Sequence, residues 1–203
     1  MHIAITGNIG AGKTTLAAQL AKHFGWEVLY EAVDGNPYLS DFYGDMPRWA
    51  FHLQIYFLKS RFEQVLEIMQ NNKRIIQDRT IYEDAYIFAK NLYESGIMTE
   101  NDYDTYCNLF RIMMSMVKPP DLMIYLKADL PKLLAQIKKR GRDFESNMSE
   151  QYLSDLNRHY ENFANNYRDG KILVIEVNNL DYVNNPGDFN FIVNEVDKAL
   201  LYS

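Results

Sequence analysis

Eight residues near the start of the chain, Gly7-Asn8-Ile9-Gly10-Ala11-Gly12-Lys13-Thr14, fit the pattern G-x4-G-K-[ST] and constrain the fold more than any other stretch. Glycines there let successive backbone N–H groups turn toward an anion, and a helix that follows adds the positive end of its dipole. The pattern requires a strand before it and a helix after it. His2 to Thr6 reads as a short buried strand, and Lys13 to Phe24 carries Leu16, Ala17, Leu20, Ala21 and Phe24 at helical spacing. Gly7 to Thr14 is therefore expected to cradle the phosphates of a nucleoside triphosphate. Lys13 should reach the terminal phosphates, and the Thr14 hydroxyl should ligate Mg²⁺.

The same alternation continues downstream. Glu27–Glu31, Arg74–Asp78, Leu122–Leu126 and Ile172–Glu176 read as further strands. Helices are expected over Pro47–Asn72, Tyr82–Glu94, Glu100–Met116, the segment from Pro131 to Arg140, Ser149–Asn166 and Phe189–Tyr202. Gly35-Asn36-Pro37 and the stretch from Gly44 to Pro47 carry turn chemistry. This order predicts an α/β fold, with a five-stranded parallel sheet covered by helices on both faces. A length of 203 residues, without a repeat or linker, suits a single domain over residues 1–203.

Charge and composition limit the partners. A formal net charge of −6 argues against nucleic acid, whose binding proteins are usually basic. No apolar run approaches the roughly 20 residues that span a bilayer, so no membrane partner is expected. The N-terminus lacks a basic stretch followed by an apolar one, and Cys107 has no second cysteine to pair with. Both features point to a reducing cytoplasm.

Two acids fall at expected strand ends, on the rim where open α/β sheets bind ligands. An ionised Glu31 could take the proton of an attacking hydroxyl. Asp78 could hold Mg²⁺ or one of its waters, and the adjacent Arg79 could balance charge on a transferred group. Strand-end acids also cap helices, and Thr80 with Glu83 has the spacing of a capping box. The cluster Lys138-Lys139-Arg140-Gly141-Arg142 likewise has two readings. It is a solvated helix end complementing the dipole, or a short basic lid over about 138–149 whose arginines close on a phosphoryl group.

Motif order over nearly the whole chain adds a resemblance. After the phosphate loop come Asn36-Pro37-Tyr38-Leu39, Pro47-Arg48-Trp49, Gln54, Arg61, Asp78-Arg79-Thr80, Arg140-Gly141-Arg142 with Glu145, and Val177-Asn178-Asn179-Leu180-Asp181. In this order they resemble the deoxynucleoside kinase family, and the stretch from Asp78 to Glu145 separates it from other kinases with this loop. The resemblance implies a single-domain P-loop kinase fold that uses ATP with Mg²⁺ to phosphorylate the 5′-hydroxyl of a deoxynucleoside. Glu31 matches the base that activates that hydroxyl, and Arg79 the residue that orients it. Tyr43 and Glu145 match the pair that holds the sugar 3′-hydroxyl, and Arg140 and Arg142 the lid arginines. Gln54, Arg61 and Asp84 match the set that reads the base. Gln54 and Arg61, seven residues apart, share a helix face.

Arg61 together with Asp84 resembles the branch acting on deoxyadenosine, deoxyguanosine and deoxycytidine. Compact bacterial members favour purines, which implies deoxyadenosine first and deoxyguanosine next. A deoxycytidine-preferring or broad enzyme, or a nucleoside monophosphate kinase, is the alternative. Two positions depart from the family pattern. Ala32 stands where proline commonly follows the catalytic acid, and Gln136 stands where some members have arginine. The resemblance also implies a homodimer through helices 47–72 and 82–94.

Overall fold

The computed structural model describes residues 1–30, 36–70, 73–141 and 149–201. The chain forms two compact units, one of residues 1–30, 73–79 and 119–203, the other of 31–72 and 80–118. It passes between them four times, so neither unit is one continuous stretch.

The first unit holds the whole sheet. Strands β1 (His2–Gly7), β2 (Glu27–Leu29), β3 (Ile75–Asp78), β4 (Leu122–Lys127) and β5 (Ile172–Glu176) run parallel in the order β2-β3-β1-β4-β5. Central β1 pairs Ile3 with Ile76 on one side and with Leu122 on the other. All six of its residues are buried, as expected of a parallel strand covered on both faces. On one face Ile3, Ile5, Ile124 and Leu126 meet Leu16 and Leu20 of α1 (Lys13–Phe24) and Ile192 and Val196 of α9 (Pro186–Leu201). Side chains alternate along a strand, so Tyr125 points the other way. There it stacks on Tyr160 of α8 (Glu150–Asn166), with ring centroids 6.1 Å apart. The expected five-stranded parallel sheet with helices on both faces is thus present.

The second unit is helical. It contains α2 (Leu39–Gly44), α3 (Met46–Gln70), α4 (Ile81–Glu83), a π-helical stretch (Asp84–Ala89), α5 (Lys90–Glu94) and α6 (Glu100–Met114). Its core gathers Phe42, Ala50, Leu53, Leu92 and Met98, and Tyr93 stacks flat on Tyr103 at 4.6 Å. Among the described residues no helix is long and apolar enough to cross a membrane.

Three expectations are revised. The second strand ends at Leu29 rather than at residue 31. The segment before Pro47 is more than a turn, since α2 closes at Gly44 and α3 opens at Met46. A helix tolerates Pro47 in its first turn because no N–H is required there. The helix expected over residues 82–94 contains six residues of wider π-helical winding, for which apolar spacing carries no signal.

His2 supplies a pH-dependent term. Its Nε2 lies 2.9 Å from Gln77 Oε1 in a buried pair, so Nε2 carries the ring proton. Burial lowers its pKa from 6.5 to about 4, against the opposing pulls of the Gln77 hydrogen bond and Asp121. The unfolded chain therefore takes up this proton first, and the contribution present above pH 6.5 is lost as pH falls toward 4. In thermal melts over that window, His2→Gln is expected to flatten the stability profile by at most about 1.4 kcal/mol per pH unit. Identical slopes in the two proteins would remove His2 as a source of acid sensitivity.

Candidate active site

The phosphate loop leaves β1 at Gly7 and enters α1 at Lys13. Its turns demand glycine twice over. Gly10 and Gly12 sit at φ of 87° and 94°, in the region L side chains avoid. A Cβ on Gly12 would fall on the Tyr182 hydroxyl, and one on Gly10 would lie 2.9 Å from the Leu133 carbonyl oxygen. The Ala11 N–H closes the turn onto the Asn8 carbonyl at 3.0 Å. Lys13 is buried over the loop and donates through Nζ to the carbonyls of Gly7 at 2.6 Å and Asn8 at 3.2 Å. An ammonium held there is one exchange of partners away from a phosphate.

Neighbouring elements hold the loop from several sides. The Asn8 amide donates to the Leu153 carbonyl at 3.0 Å and to Asn157 Oδ1 at 2.6 Å, both on α8. Asn157 in turn donates to the Ala128 carbonyl at 2.9 Å, just beyond β4. The Tyr182 hydroxyl reaches the Gly12 carbonyl at 3.2 Å and that of Ala11 at 3.4 Å. Burial pushes the Tyr182 phenol up to about 12 from its ordinary 10. Neither residue stood out in the sequence. Asn157 lies 149 positions from Asn8, and Tyr182 falls one residue past the motif ending at Asp181.

At the end of β3 the acid and the arginine separate their tasks. Thr14 donates its hydroxyl to Asp78 Oδ2 at 2.5 Å. Asp78 is buried, and its Oδ1 has no hydrogen-bond partner. A buried carboxylate oxygen without a donor, beside a hydroxyl at the start of α1, suits a hard cation that prefers oxygen ligands. The capping alternative falls to Glu83, whose carboxylate accepts from the Thr80 N–H at 2.8 Å. Arg79 is the one non-glycine at positive φ, 70°, among the described residues, and its N–H donates to the Ile5 carbonyl at 3.0 Å. Such a conformation costs on the order of 1–3 kcal/mol and persists where the surroundings enforce it, often at functional sites.

In the second unit, Gln54 and Arg61 lie on the buried face of α3, and Asp84 opens the π-helical stretch. Arg61 and Asp84 are both nearly inaccessible, with Nε and Oδ2 3.6 Å apart. Gln54 Oε1 is buried without a hydrogen-bond partner. Three polar side chains thus occupy the interior of this unit, in addition to the buried Thr80, Glu83 and Asn91. Tyr43, on α2, is half exposed and lies edge-on to Phe42.

Arg140 closes α7 (Leu130–Arg140) after Lys138 and Lys139, and Gly141 at φ 65° caps it by donating to the Ile137 carbonyl at 3.1 Å. Up to residue 141 the basic cluster is a helix end whose cations complement the dipole. Arg142, Glu145 and most of the expected lid lie outside the described residues, as do Glu31 and Ala32.

The family model for deoxynucleoside kinase matches residues 3–201. The deoxyadenosine/deoxycytidine kinase of Bacillus subtilis (strain 168) is 39% identical over 200 residues, covering 98% of this chain and 92% of that protein. The deoxyadenosine kinase of Dictyostelium discoideum is 48% identical over 162 residues, covering 80% and 66%. Among solved structures, deoxyadenosine kinase from M. mycoides with bound dATP superposes with a TM-score of 0.85 at 34% identity, covering 97% of this chain and all of that one.

The Asn8–Asn157 link yields a separable outcome. Asn157→Ala leaves the Asn8 amide and the Ala128 carbonyl each short of a partner, a loss of about 1–3 kcal/mol in stability. The KM for ATP is expected to rise in the same variant, through the loosened phosphate loop, while the KM for the phosphate acceptor holds. A variant with lowered melting temperature and unchanged KM for ATP would limit Asn157 to a structural role.

Proposed function

The chain belongs to the deoxynucleoside kinase family and is a phosphotransferase acting on a deoxynucleoside; from that premise we propose that it transfers the γ-phosphoryl group of Mg·ATP to the 5′-hydroxyl of a purine deoxynucleoside, deoxyadenosine first and deoxyguanosine next, in nucleotide salvage. The observation that carries the acceptor half is the buried trio Gln54, Arg61 and Asp84, with Gln54 Oε1 lacking a donor. A purine or cytosine edge presents an amino or carbonyl group beside a ring nitrogen, and a side-chain amide can accept from one while donating to the other. Names of relatives support deoxyadenosine, which appears in those of the Bacillus, Dictyostelium and M. mycoides proteins above. The Bacillus relative is also named for deoxycytidine, which keeps a broader enzyme as the second reading.

The chemistry distributes over residues already placed in the chain. Glu31 takes the proton of the 5′-hydroxyl as its oxygen attacks the γ-phosphorus in line, and ADP leaves. Arg79 orients that hydroxyl and, with Lys13, Arg140 and Arg142, balances charge on the equatorial oxygens. The backbone of Gly7, Asn8, Ile9, Gly10, Ala11 and Gly12 binds the remaining phosphates with Lys13 and Thr14. Tyr43 and Glu145 hold the 3′-hydroxyl. Thr14 and Asp78 would hold Mg²⁺, which would supply charge neutralisation at the phosphates. The lid is assigned to 138–149, the kinase domain to 1–203, and the compartment to the cytoplasm.

Competition among the four natural deoxynucleosides at equal concentration, with Mg·ATP, tests this reading. Deoxyadenosine monophosphate should dominate the products, and Glu31→Gln should lower kcat by roughly 10²–10⁴ while nucleoside binding persists. Dominant deoxycytidine monophosphate would overturn the purine preference, and a near-normal kcat would remove Glu31 from the mechanism.

We assign a homodimer to helices 47–72 and 82–94. Along α3, Phe51, Ile55, Phe62 and Leu66 are half-buried and Met69 is exposed, at spacings of one helix face. Tyr86 is half exposed in the second of these segments. Sedimentation should give twice the 23.8 kDa chain mass, and Leu66→Glu should give the monomer. A wild-type monomer at micromolar concentration would refute this assignment.

A further inference from the structure

Tyr106 lies on α6 with its side chain fully buried, and its hydroxyl has no hydrogen-bond partner. Buried hydroxyls are paired in the large majority of cases, because an unpaired one forfeits its hydration without compensation. A fold that keeps such a group where phenylalanine would fill the same space is retaining it for a partner that arrives later.

Its neighbours indicate which partner. Helix α6 packs along α3 and along the π-helical stretch, the two elements that carry Gln54, Arg61 and Asp84. The Asp84 carboxylate is close enough for its charge to act on the phenol. Together with the larger effect of burial, and lesser ones from Cys107 and Tyr103, it raises the Tyr106 pKa well above the ordinary 10, so the hydroxyl stays a donor. Asp84 itself faces Arg61 at 3.6 Å, longer than a charge-assisted hydrogen bond. The phenolic hydrogen rotates about the C–O bond and can turn to an acceptor that shifts into reach.

We infer that Tyr106 is a positioning residue for the acceptor base: when Gln54, Arg61 and Asp84 engage a nucleoside, the Tyr106 hydroxyl donates to the Asp84 carboxylate and holds it in the orientation that reads the base. This rests on the base-reading trio assigned under the proposed function. The hydrogen bond exists only in the loaded site, so it contributes to nucleoside binding and not to the stability of the free protein. It also adds a third element, α6, to the set that determines base selection.

Tyr106→Phe removes one oxygen and keeps the ring. The free variant should melt at the wild-type temperature or higher, because an unpaired buried hydroxyl has been deleted. The KM for deoxyadenosine should rise about tenfold, with kcat and the KM for ATP unchanged. In an Asp84→Asn background the same substitution should add nothing, the mark of two groups acting through one contact. A lower melting temperature with an unchanged KM for deoxyadenosine would make Tyr106 structural and overturn the inference. Gln54→Ala separates the two levels. If Gln54→Ala and Asp84→Asn raise that KM while Tyr106→Phe does not, the role of Tyr106 alone fails. If none of the three raises it, the base-reading trio fails and the role of Tyr106 falls with it.

Discussion

Where β3 ends beside β1, one carboxylate and one backbone N–H fasten the phosphate loop to the sheet. Asp78 receives the Thr14 hydroxyl from the first turn of α1, and the next residue donates its N–H to Ile5 inside β1. The corner is bought with backbone strain at Arg79, and the apolar core around Ile3, Ile5, Leu16 and Leu20 is what holds it in place. Other restraints then converge on the same eight residues. Tyr182 fills the space a side chain at position 12 would need, Leu133 does so at position 10, and Asn8 is tied to α8. A loop restrained in this way presents its N–H groups without reorganising, the condition under which fixed dipoles stabilise charge most effectively.

The helical unit follows a different logic. Its interior contains an arginine, an aspartate and a glutamine that a purely structural core would exclude, since a buried ion pair seldom stabilises more than apolar side chains of the same volume. The winding is irregular at the same place, because Asp84 is the first residue of the π-helical stretch. Such wider turns shift the side chains that follow them relative to an α-helix and occur often at functional sites. Irregular backbone and buried charge therefore coincide, on elements that have little other reason to carry either.

Much of the fold could be read from local pattern, and the reason is physical. Parallel strands buried on both faces must be apolar runs, so Ile3 to Ile5 and Leu122 to Leu126 announced themselves, and Ile172 to Ile175 did so as an apolar run at the sheet edge. The phosphate loop was legible because its conformation demands particular residues at particular spacings. What escaped was set by tertiary partners. Asn157 acts on Asn8 across most of the chain, the Tyr106 hydroxyl stands out only through its lack of a partner, and apolar spacing gives no sign of the π-helical winding. The short helix α2 was hidden by Gly44 and Pro47, which read as a turn and instead mark the end of one helix and the first turn of the next.

The strand order has a consequence for how the molecule assembles. β1 precedes both of its neighbours, β3 and β4, which follow some 70 and 120 residues later. Until residues 122–127 have been made, one edge of this fully buried strand has nothing to pair with. Topologies with such long sequence separations fold slowly, and nascent chains expose their unpaired edges to other chains meanwhile. Pairing of both edges of the strand that leads into the phosphate loop thus waits on residue 127, a delay written into the order β2-β3-β1-β4-β5.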